Sequence, residues 1–142
     1  MLVKALFGAV LVQVALTLSL LMWLGSERMR SVRRREVKLS DVALSSDAWP
    51  NRIKQIANSF RNQFELPVLF YVAALSSIVT GVTDAIVVGL SWCFVVLRIF
   101  HAYVHVTHNI VMRRFQVYVA GYFVLVLLWV YIGGRVMMAG VF

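Results

Sequence analysis

The residues best suited to chemistry stand close together, where a basic stretch gives way to an uncharged one. Asn58, Arg61, Asn62 and Glu65 precede an apolar run that begins at Leu66. At about 100° per residue, Asn58, Asn62 and Glu65 share one face of a continuous helix, with Arg61 beside them. Polar groups at the mouth of a membrane span are costly to place there and by default indicate a binding or catalytic site.

A purely structural interpretation of this segment is also open. Arg61 and Glu65 are i,i+4 neighbours. At a solvated helix end such a pair contributes only about 0.2–0.5 kcal/mol to helix stability. The segment alone therefore does not distinguish a ligand site from an exposed helix end.

A second polar set lies in a later apolar run. Arg98, His101, His105 and His108 are spaced i, i+3, i+7 and i+10, which keeps them within about 80° of one another on a helix. Arg98 is too deep to face lipid, so it should point into a helix bundle and needs an anionic partner. Glu65 is the carboxylate at a comparable depth, and this predicts an Arg98–Glu65 pair between two helices.

The histidines also raise the possibility of a metal site. His101 and His105 have the i,i+4 spacing of a helical chelate. However, no further Cys, Asp or Glu is well placed to complete or support a metal site. We therefore expect hydrogen-bonding or interfacial histidines and no bound metal.

A third set opens the last apolar run. Arg114 and Tyr118 are one helical turn apart, and they could face the same crevice as Arg98 and Glu65. An arginine in that position would favour the thiolate form of a bound thiol, because a nearby positive charge lowers a thiol pKa. The alternative is that Arg114 orients the chain in the membrane and that Tyr118 marks an interface.

The elements that must position these residues are membrane spans. The chain of 142 residues is 61% hydrophobic and 14% charged, too apolar for a soluble protein of this size. Nine of its fourteen Lys and Arg residues lie between Arg28 and Arg61 and flank hydrophobic segments. The net charge of +8 therefore indicates orientation in a membrane, with lipid headgroup contact, and no nucleic-acid partner.

Four spans are predicted in a single all-α membrane domain covering 1–142. They lie at about 5–24, 66–82, 85–106 and 115–137, since roughly 20 apolar residues cross a bilayer. The segment 25–60 is predicted to be a loop, although the second helix should begin near Asn51 or Arg52. Pro67 should bend that helix. The first apolar run is long and lacks a small-x-small cleavage site, so we expect a retained span.

The basic loops set the expected orientation. The positive-inside rule places 25–60 and 107–114 in the cytoplasm and both termini outside. In a bacterium this corresponds to a multi-pass inner-membrane protein with periplasmic termini. The single cysteine, Cys93, lies in an apolar run and cannot form an intrachain disulfide.

Together these features resemble the MAPEG family, the membrane-associated proteins of eicosanoid and glutathione metabolism. The resemblance covers nearly the whole chain, with four spans, external termini and a basic first loop. The local match comprises Arg61-Asn62-x-x-Glu65 before the second span, Arg98-x-x-His101 in the third, and Arg114-x-x-x-Tyr118 in the fourth.

The resemblance implies a homotrimer of four-helix bundles with glutathione bound between subunits near the cytoplasmic face. It also implies a lipophilic small-molecule substrate reached from membrane lipid. The implied catalytic residues are Arg114, which would stabilise the thiolate, and Tyr118, which would assist by hydrogen bonding. The implied glutathione contacts are Asn58, Arg61, Asn62, Glu65, Arg98, His101 and His105.

Two positions depart from the prostaglandin synthase branch of the family. Phe115 stands where that branch has a serine, and His105 where it has a tyrosine. These departures argue against eicosanoid chemistry. The function that we expect is glutathione-dependent transfer to, or peroxide reduction of, a lipophilic electrophile. The alternative is a non-catalytic lipid-binding or scaffold protein with the same fold.

The expected orientation can be tested with introduced cysteines and an impermeant thiol reagent in intact cells. Cysteines at Ser45 and Asn109 should be protected, because both positions lie in basic loops that stay in the cytoplasm. A cysteine at Gly140 should be labelled. Labelling at Ser45 would overturn the orientation.

Overall fold

The computed structural model describes residues 1–43 and 45–139, and all regular secondary structure within these ranges is helical. Gly140, one of the predicted labelling positions, lies outside the described residues. A 3-10 turn covers Asn62–Phe64. The α-helices are α1 (Leu2–Arg33), α2 (Leu39–Val42), α3 (Asn51–Arg61), α4 (Leu66–Val79), α5 (Ala85–Val106) and α6 (Val111–Ala139).

Four of these helical segments are long and apolar enough to cross a membrane: α1, α3 together with α4, α5, and α6. This confirms the predicted all-α, four-span membrane fold. The helices extend beyond the predicted spans, because α1 continues to Arg33 and α3 lies within the segment predicted to be a loop. Glu, Arg and Met have high helix propensity, so the polar residues after the first span continue its helix.

The four long segments pack with α5 in the middle, between α1 on one side and α6 on the other. Phe70 of α4 stacks on Phe94 of α5 with ring centroids 5.0 Å apart. Leu6 of α1 and Leu128 of α6 are fully buried in the same core cluster. Much of the remaining apolar side-chain surface faces outward, as expected for helices surrounded by lipid.

A buried amide pair connects α1 to the 3-10 turn. Gln13 Nε2 donates to Gln63 Oε1 at 3.0 Å, and Gln63 Nε2 donates to the Ser59 carbonyl at 3.1 Å. Both glutamines are buried. This contact was not predicted, although Gln13 is the only residue with a side-chain amide in the first apolar run. It fixes the segment just before Glu65.

The helix of the second span is interrupted at Glu65. After the 3-10 turn, Glu65 has φ −99° and ψ −106°, and Pro67 is the second residue of α4. Proline has no N–H to give to the carbonyl four residues earlier, and its ring clashes with that carbonyl, so a continuous helix is interrupted before Pro67 and a new helix begins. The prediction that Asn58, Asn62 and Glu65 share one continuous helical face is therefore wrong.

The end of the bundle where α1 and α5 end and α6 begins carries most of the cations, and we call it the basic end. Here side chains of α3 satisfy the last carbonyls of α5, which have no partner within the helix. Gln55 Nε2 donates to the His105 carbonyl at 2.6 Å and to the Thr107 carbonyl at 3.3 Å. Arg52 Nη1 donates to the Val106 carbonyl.

At the opposite end of the bundle, Asp84 joins α5 to α6. One carboxylate oxygen caps α5 by accepting from the N–H groups of Ile86 and Val87, each at 3.0 Å. The other accepts from the Tyr131 hydroxyl at 2.5 Å and from Arg135 Nη1 at 2.7 Å. This cluster could not be predicted from the sequence, since 47 and 51 positions separate Asp84 from Tyr131 and Arg135.

We expect Asp84→Ala to lower thermal stability in detergent by about 1–2 kcal/mol, the usual cost of losing an N-cap. Asp84→Asn is the matched control, because an asparagine can cap the helix but cannot pair as a charge with Arg135. It should lose less stability than the alanine variant. Equal losses in thermal unfolding would show that the cap contributes nothing.

The ionic part of this cluster should depend on pH. Desolvation opposes ionisation, but the hydrogen bonds from Tyr131, Val87 and Ile86 and the charge of Arg135 outweigh it and lower the pKa of Asp84. A lowered folded-state pKa stabilises the fold above the ordinary value of 3.8, and this stability is lost as the pH falls through the folded-state pKa. The stability difference between the parent and Asp84→Asn should therefore shrink in acid.

Candidate functional site

A buried arginine on α5 lies at the centre of the candidate site. Arg98 is 1% exposed, and its Nη2 donates to the Asn62 carbonyl at 2.9 Å. Its Nε and Nη1 have no hydrogen-bond partner among residues 1–43 and 45–139. Its guanidinium lies 5.9 Å from the centre of the Tyr118 ring. Arg98 therefore joins α5 to the interrupted helix and faces α6.

Tyr118 connects α6 to Glu65. Its hydroxyl donates to Glu65 Oε2 at 3.3 Å. Arg98 and Glu65 do not form the predicted ion pair: within the described part of the chain, the pairs closer than 4.0 Å involve other residues. Glu65 is exposed while Arg98 is buried. The predicted direct pair is wrong because the Asn62 carbonyl and Tyr118 occupy the contacts between them.

Arg114 is held at the start of α6 by two contacts. Its Nη1 lies 3.1 Å from His105 Nε2 and 2.8 Å from Asn109 Oδ1. Since a guanidinium can only donate, His105 Nε2 must accept, and the ring proton of a neutral His105 is on Nδ1. Asn109 has φ +48°, a left-handed conformation that asparagine tolerates better than most residues. This turn directs its amide oxygen to Arg114.

Two buried histidines belong to the same cluster: His101 lies beside Tyr118, and His105 lies beside His101. The ring of His101 is 5.8 Å from that of His105 and 5.7 Å from that of Tyr118, measured between centroids. Each histidine has an Nδ1 without a partner among the described residues. His108 is different: α5 ends at Val106, and His108 is exposed in the turn that follows. The predicted common helical face therefore does not extend to His108.

A cavity of about 230 Å³ opens beside these groups and is lined by Asn62, Val111, Arg114, Phe115 and Tyr118. The polar part of its wall supplies an amide, a guanidinium and a phenol. Val111 and Phe115 are exposed and apolar. The cavity thus borders both a cationic cluster and a lipid-facing surface.

Asn58 and Arg61 lie elsewhere in the molecule. They line a second, much smaller cavity of about 20 Å³. Arg28 of α1 and Lys54 of α3 line the same cavity, and the Arg28 guanidinium lies 5.3 Å from the centre of the Trp49 ring. Asn58 and Asn62 remain one helical turn apart, since the Asn62 N–H donates to the Asn58 carbonyl, yet they line different cavities. Arg28 was not singled out in the sequence, because the arginines of its segment look alike there.

The predicted site residues thus form two groups. The larger group lines the wider cavity, is buried next to it or, in the case of the exposed Glu65, contacts Tyr118 of its wall; the smaller group lines the narrow cavity. In the ranges that the structure covers, no cluster of three or more His, Cys, Asp or Glu side chains could hold a metal ion. The larger group comprises Asn62, Glu65, Arg98, His101, His105, Arg114 and Tyr118; the smaller comprises Asn58 and Arg61.

This arrangement suits an anionic ligand. Arg98 contributes positive charge in a buried region, where charge-assisted hydrogen bonds are strong, and the half-buried Arg114 adds a second charge at its edge. The unpartnered Arg98 donors are costly to bury unless something accepts from them. Glu65 supplies one acceptor for a cationic group at the edge of the cluster. A small molecule with several negative groups and one positive group matches this pattern.

Comparison with known proteins places the chain in a family. A model of the MAPEG family matches residues 6–134. The chain therefore belongs to the MAPEG family and is an integral membrane protein. No curated protein and no solved structure matches it.

Proposed function

We propose that the protein is a glutathione-dependent transferase or peroxidase that acts on a lipophilic electrophile. Two independent findings support this proposal: membership of a family that includes glutathione transferases, and the cationic cluster beside the wider cavity. The arrangement of Arg98, Arg114, Asn62 and Glu65 next to one cavity carries most weight. These four residues come from three separate helical segments, so tertiary packing alone brings them together.

The charges of this cluster match those of glutathione, which has two carboxylates and one ammonium group. Arg98 and Arg114 would bind the carboxylates or the thiol as planar donor forks. Asn62 would contribute hydrogen bonds, and Glu65 would accept from the ammonium. The unpartnered nitrogens of Arg98, His101 and His105 would supply further contacts, since each needs an acceptor or a donor.

Arg114 and Tyr118 are the proposed catalytic residues. Arg114 would stabilise the thiolate by its positive charge, and a thiolate is a far better nucleophile than a thiol. The contacts from His105 and Asn109 hold Arg114 in place. Tyr118 could donate a hydrogen bond to the reacting sulfur or to the substrate, as its hydroxyl already lies at the cluster.

The second substrate would reach the cavity from the bilayer. Phe115 is 60% exposed and Val111 is 65% exposed, and both line the cavity wall. An electrophile dissolved in lipid could pass these side chains without entering water. Phe115 would thus contact the apolar part of the substrate.

We further propose a homotrimer whose glutathione site lies between subunits at the cytoplasmic face. Within one protomer, Asn58 and Arg61 do not line the wider cavity. A neighbouring subunit packed over the cavity could bring its own Asn58 and Arg61 to the ligand. The broad exposed apolar surface of the protomer is compatible with such packing, and lipid covers the rest.

Glu65→Gln tests the binding site, because the amide keeps the shape and the acceptor but removes the charge. Binding of glutathione, measured by calorimetry on detergent-purified protein, should weaken roughly tenfold to a hundredfold, as one charge-assisted contact is worth about 1.5–3 kcal/mol. Glu27→Gln is the matched control, since Glu27 pairs with Arg30 on α1. Parental binding and turnover in Glu65→Gln would favour the scaffold alternative.

Arg114→Ala tests the catalytic role separately. Glutathione should still bind, but its thiolate absorbance in the ultraviolet should titrate at a higher pH, because the stabilising charge is gone. Arg114→Lys should restore part of the shift by retaining a positive charge. Arg113→Ala, which alters the adjacent exposed arginine, should leave the titration unchanged. If Arg114→Ala titrates like the parent, Arg114 does not stabilise the thiolate.

A further inference from the structure

A second recess of about 230 Å³ lies between α1 and α5, and we call it the α1–α5 groove. Leu16 and Ser19 line it from α1, and Ile99 and Tyr103 line it from α5. Nearly all of its lining is apolar. An apolar cavity of roughly 150 Å³ is enough to hold benzene, so the groove has room for part of a hydrocarbon chain.

The α1–α5 groove is separate from the candidate catalytic cluster. It contacts Ala102 and Val106 of α5, each of which follows a histidine of the cluster in sequence. Consecutive helical residues differ by about 100° in direction. The groove therefore occupies the face of α5 that packs on α1, while the cluster occupies the face toward α6.

The basic end of the groove carries a positive charge. The guanidinium of Arg52 lies 5.0 Å from the centre of the Trp23 ring and donates to the carbonyl of Val106. Both Trp23 and Val106 line the groove. Arg52 is exposed, and a guanidinium has five N–H donors, so donors remain for a further acceptor. An apolar channel thus ends directly at a cation and an indole.

We propose that the α1–α5 groove binds an anionic phospholipid, with one acyl chain against α5 and the phosphate at Arg52. The groove runs along two membrane-spanning helices, and its wall includes Ile99 and Tyr103, which are 41% and 56% exposed. A lipid chain can therefore enter from the side. Arginine can bind the phosphate through two parallel hydrogen bonds, and a headgroup without an ammonium keeps the net negative charge that basic residues at a membrane surface attract.

The surrounding charge favours the same occupant. Nine of the fourteen basic residues lie between Arg28 and Arg61, and basic residues near a membrane surface attract anionic lipids. A second copy of the chain would have to place an acidic group at Arg52, and the chain has only six acidic residues. A phospholipid provides both an apolar chain and an anion in one molecule.

The proposal can be tested on the detergent-purified protein with phosphatidylglycerol, phosphatidylcholine of the same chains, and oleate as probes. Native mass spectrometry should show tighter binding of phosphatidylglycerol than of either other lipid. Arg52→Gln should weaken phosphatidylglycerol binding about tenfold through loss of a charge-assisted contact. Arg113→Gln, an exposed arginine at the same end, should cause a clearly smaller loss. Equal losses in the two variants, or stronger binding of oleate, would overturn the proposal.

A second pair of variants tests the apolar part without touching Arg52. Ser19→Trp should fill the groove and reduce binding of phosphatidylglycerol, whereas Leu18→Trp, at an exposed neighbouring position, should not. This pair remains informative if Arg52→Gln destabilises the end of α5. Unchanged lipid binding in Ser19→Trp, or a change in oligomeric state instead of lipid binding, would refute the phospholipid as occupant. Neither result depends on whether glutathione binds.

Discussion

The burial of one guanidinium organises the bundle. Arg98 is nearly inaccessible to solvent, in a helix that crosses the membrane, and an unpaired charge there would be prohibitively costly. Its partner is the Asn62 carbonyl, a backbone group that an uninterrupted helix would use internally. The interruption before Pro67 makes that carbonyl available. A helix break and a buried charge in different spans therefore depend on each other.

This dependence explains what could and could not be predicted from the sequence. The spans follow from apolar length. The inward direction of Arg98, His101 and His105 follows from the cost of exposing polar side chains to lipid. Arg114 and Tyr118 lie close to them because the connection between α5 and α6 is short. The orientation of Glu65 relative to Asn58 and Asn62 cannot be predicted in this way, because the backbone leaves the α-helical conformation between Asn62 and Glu65. Local periodicity assumes a continuous helix, and Pro67 bends the chain in a way that only packing determines.

Contacts between residues that are distant in sequence could not be predicted either. Gln13 and Gln63 are fifty residues apart, and each alone is an ordinary polar residue in a helix. Only the packing of α1 on the 3-10 turn makes them partners. The same holds for Asp84, just before α5, and Arg135, near the end of α6, which are distant in sequence but in contact in the bundle. A polar residue in an apolar run indicates that a partner exists, but the sequence does not identify the partner.

The Asp84 cluster also determines how the molecule can move. It ties the first residues of α5 to the last turns of α6 at one end of the bundle, and the contact between His105 and Arg114 ties the same helices at the other. Two helices joined by side-chain contacts at both ends form one rigid unit. Displacement of the α3–α4 segment against this unit, with the irregular backbone at Glu65 as the hinge, would widen the cavity beside Tyr118 without breaking either contact.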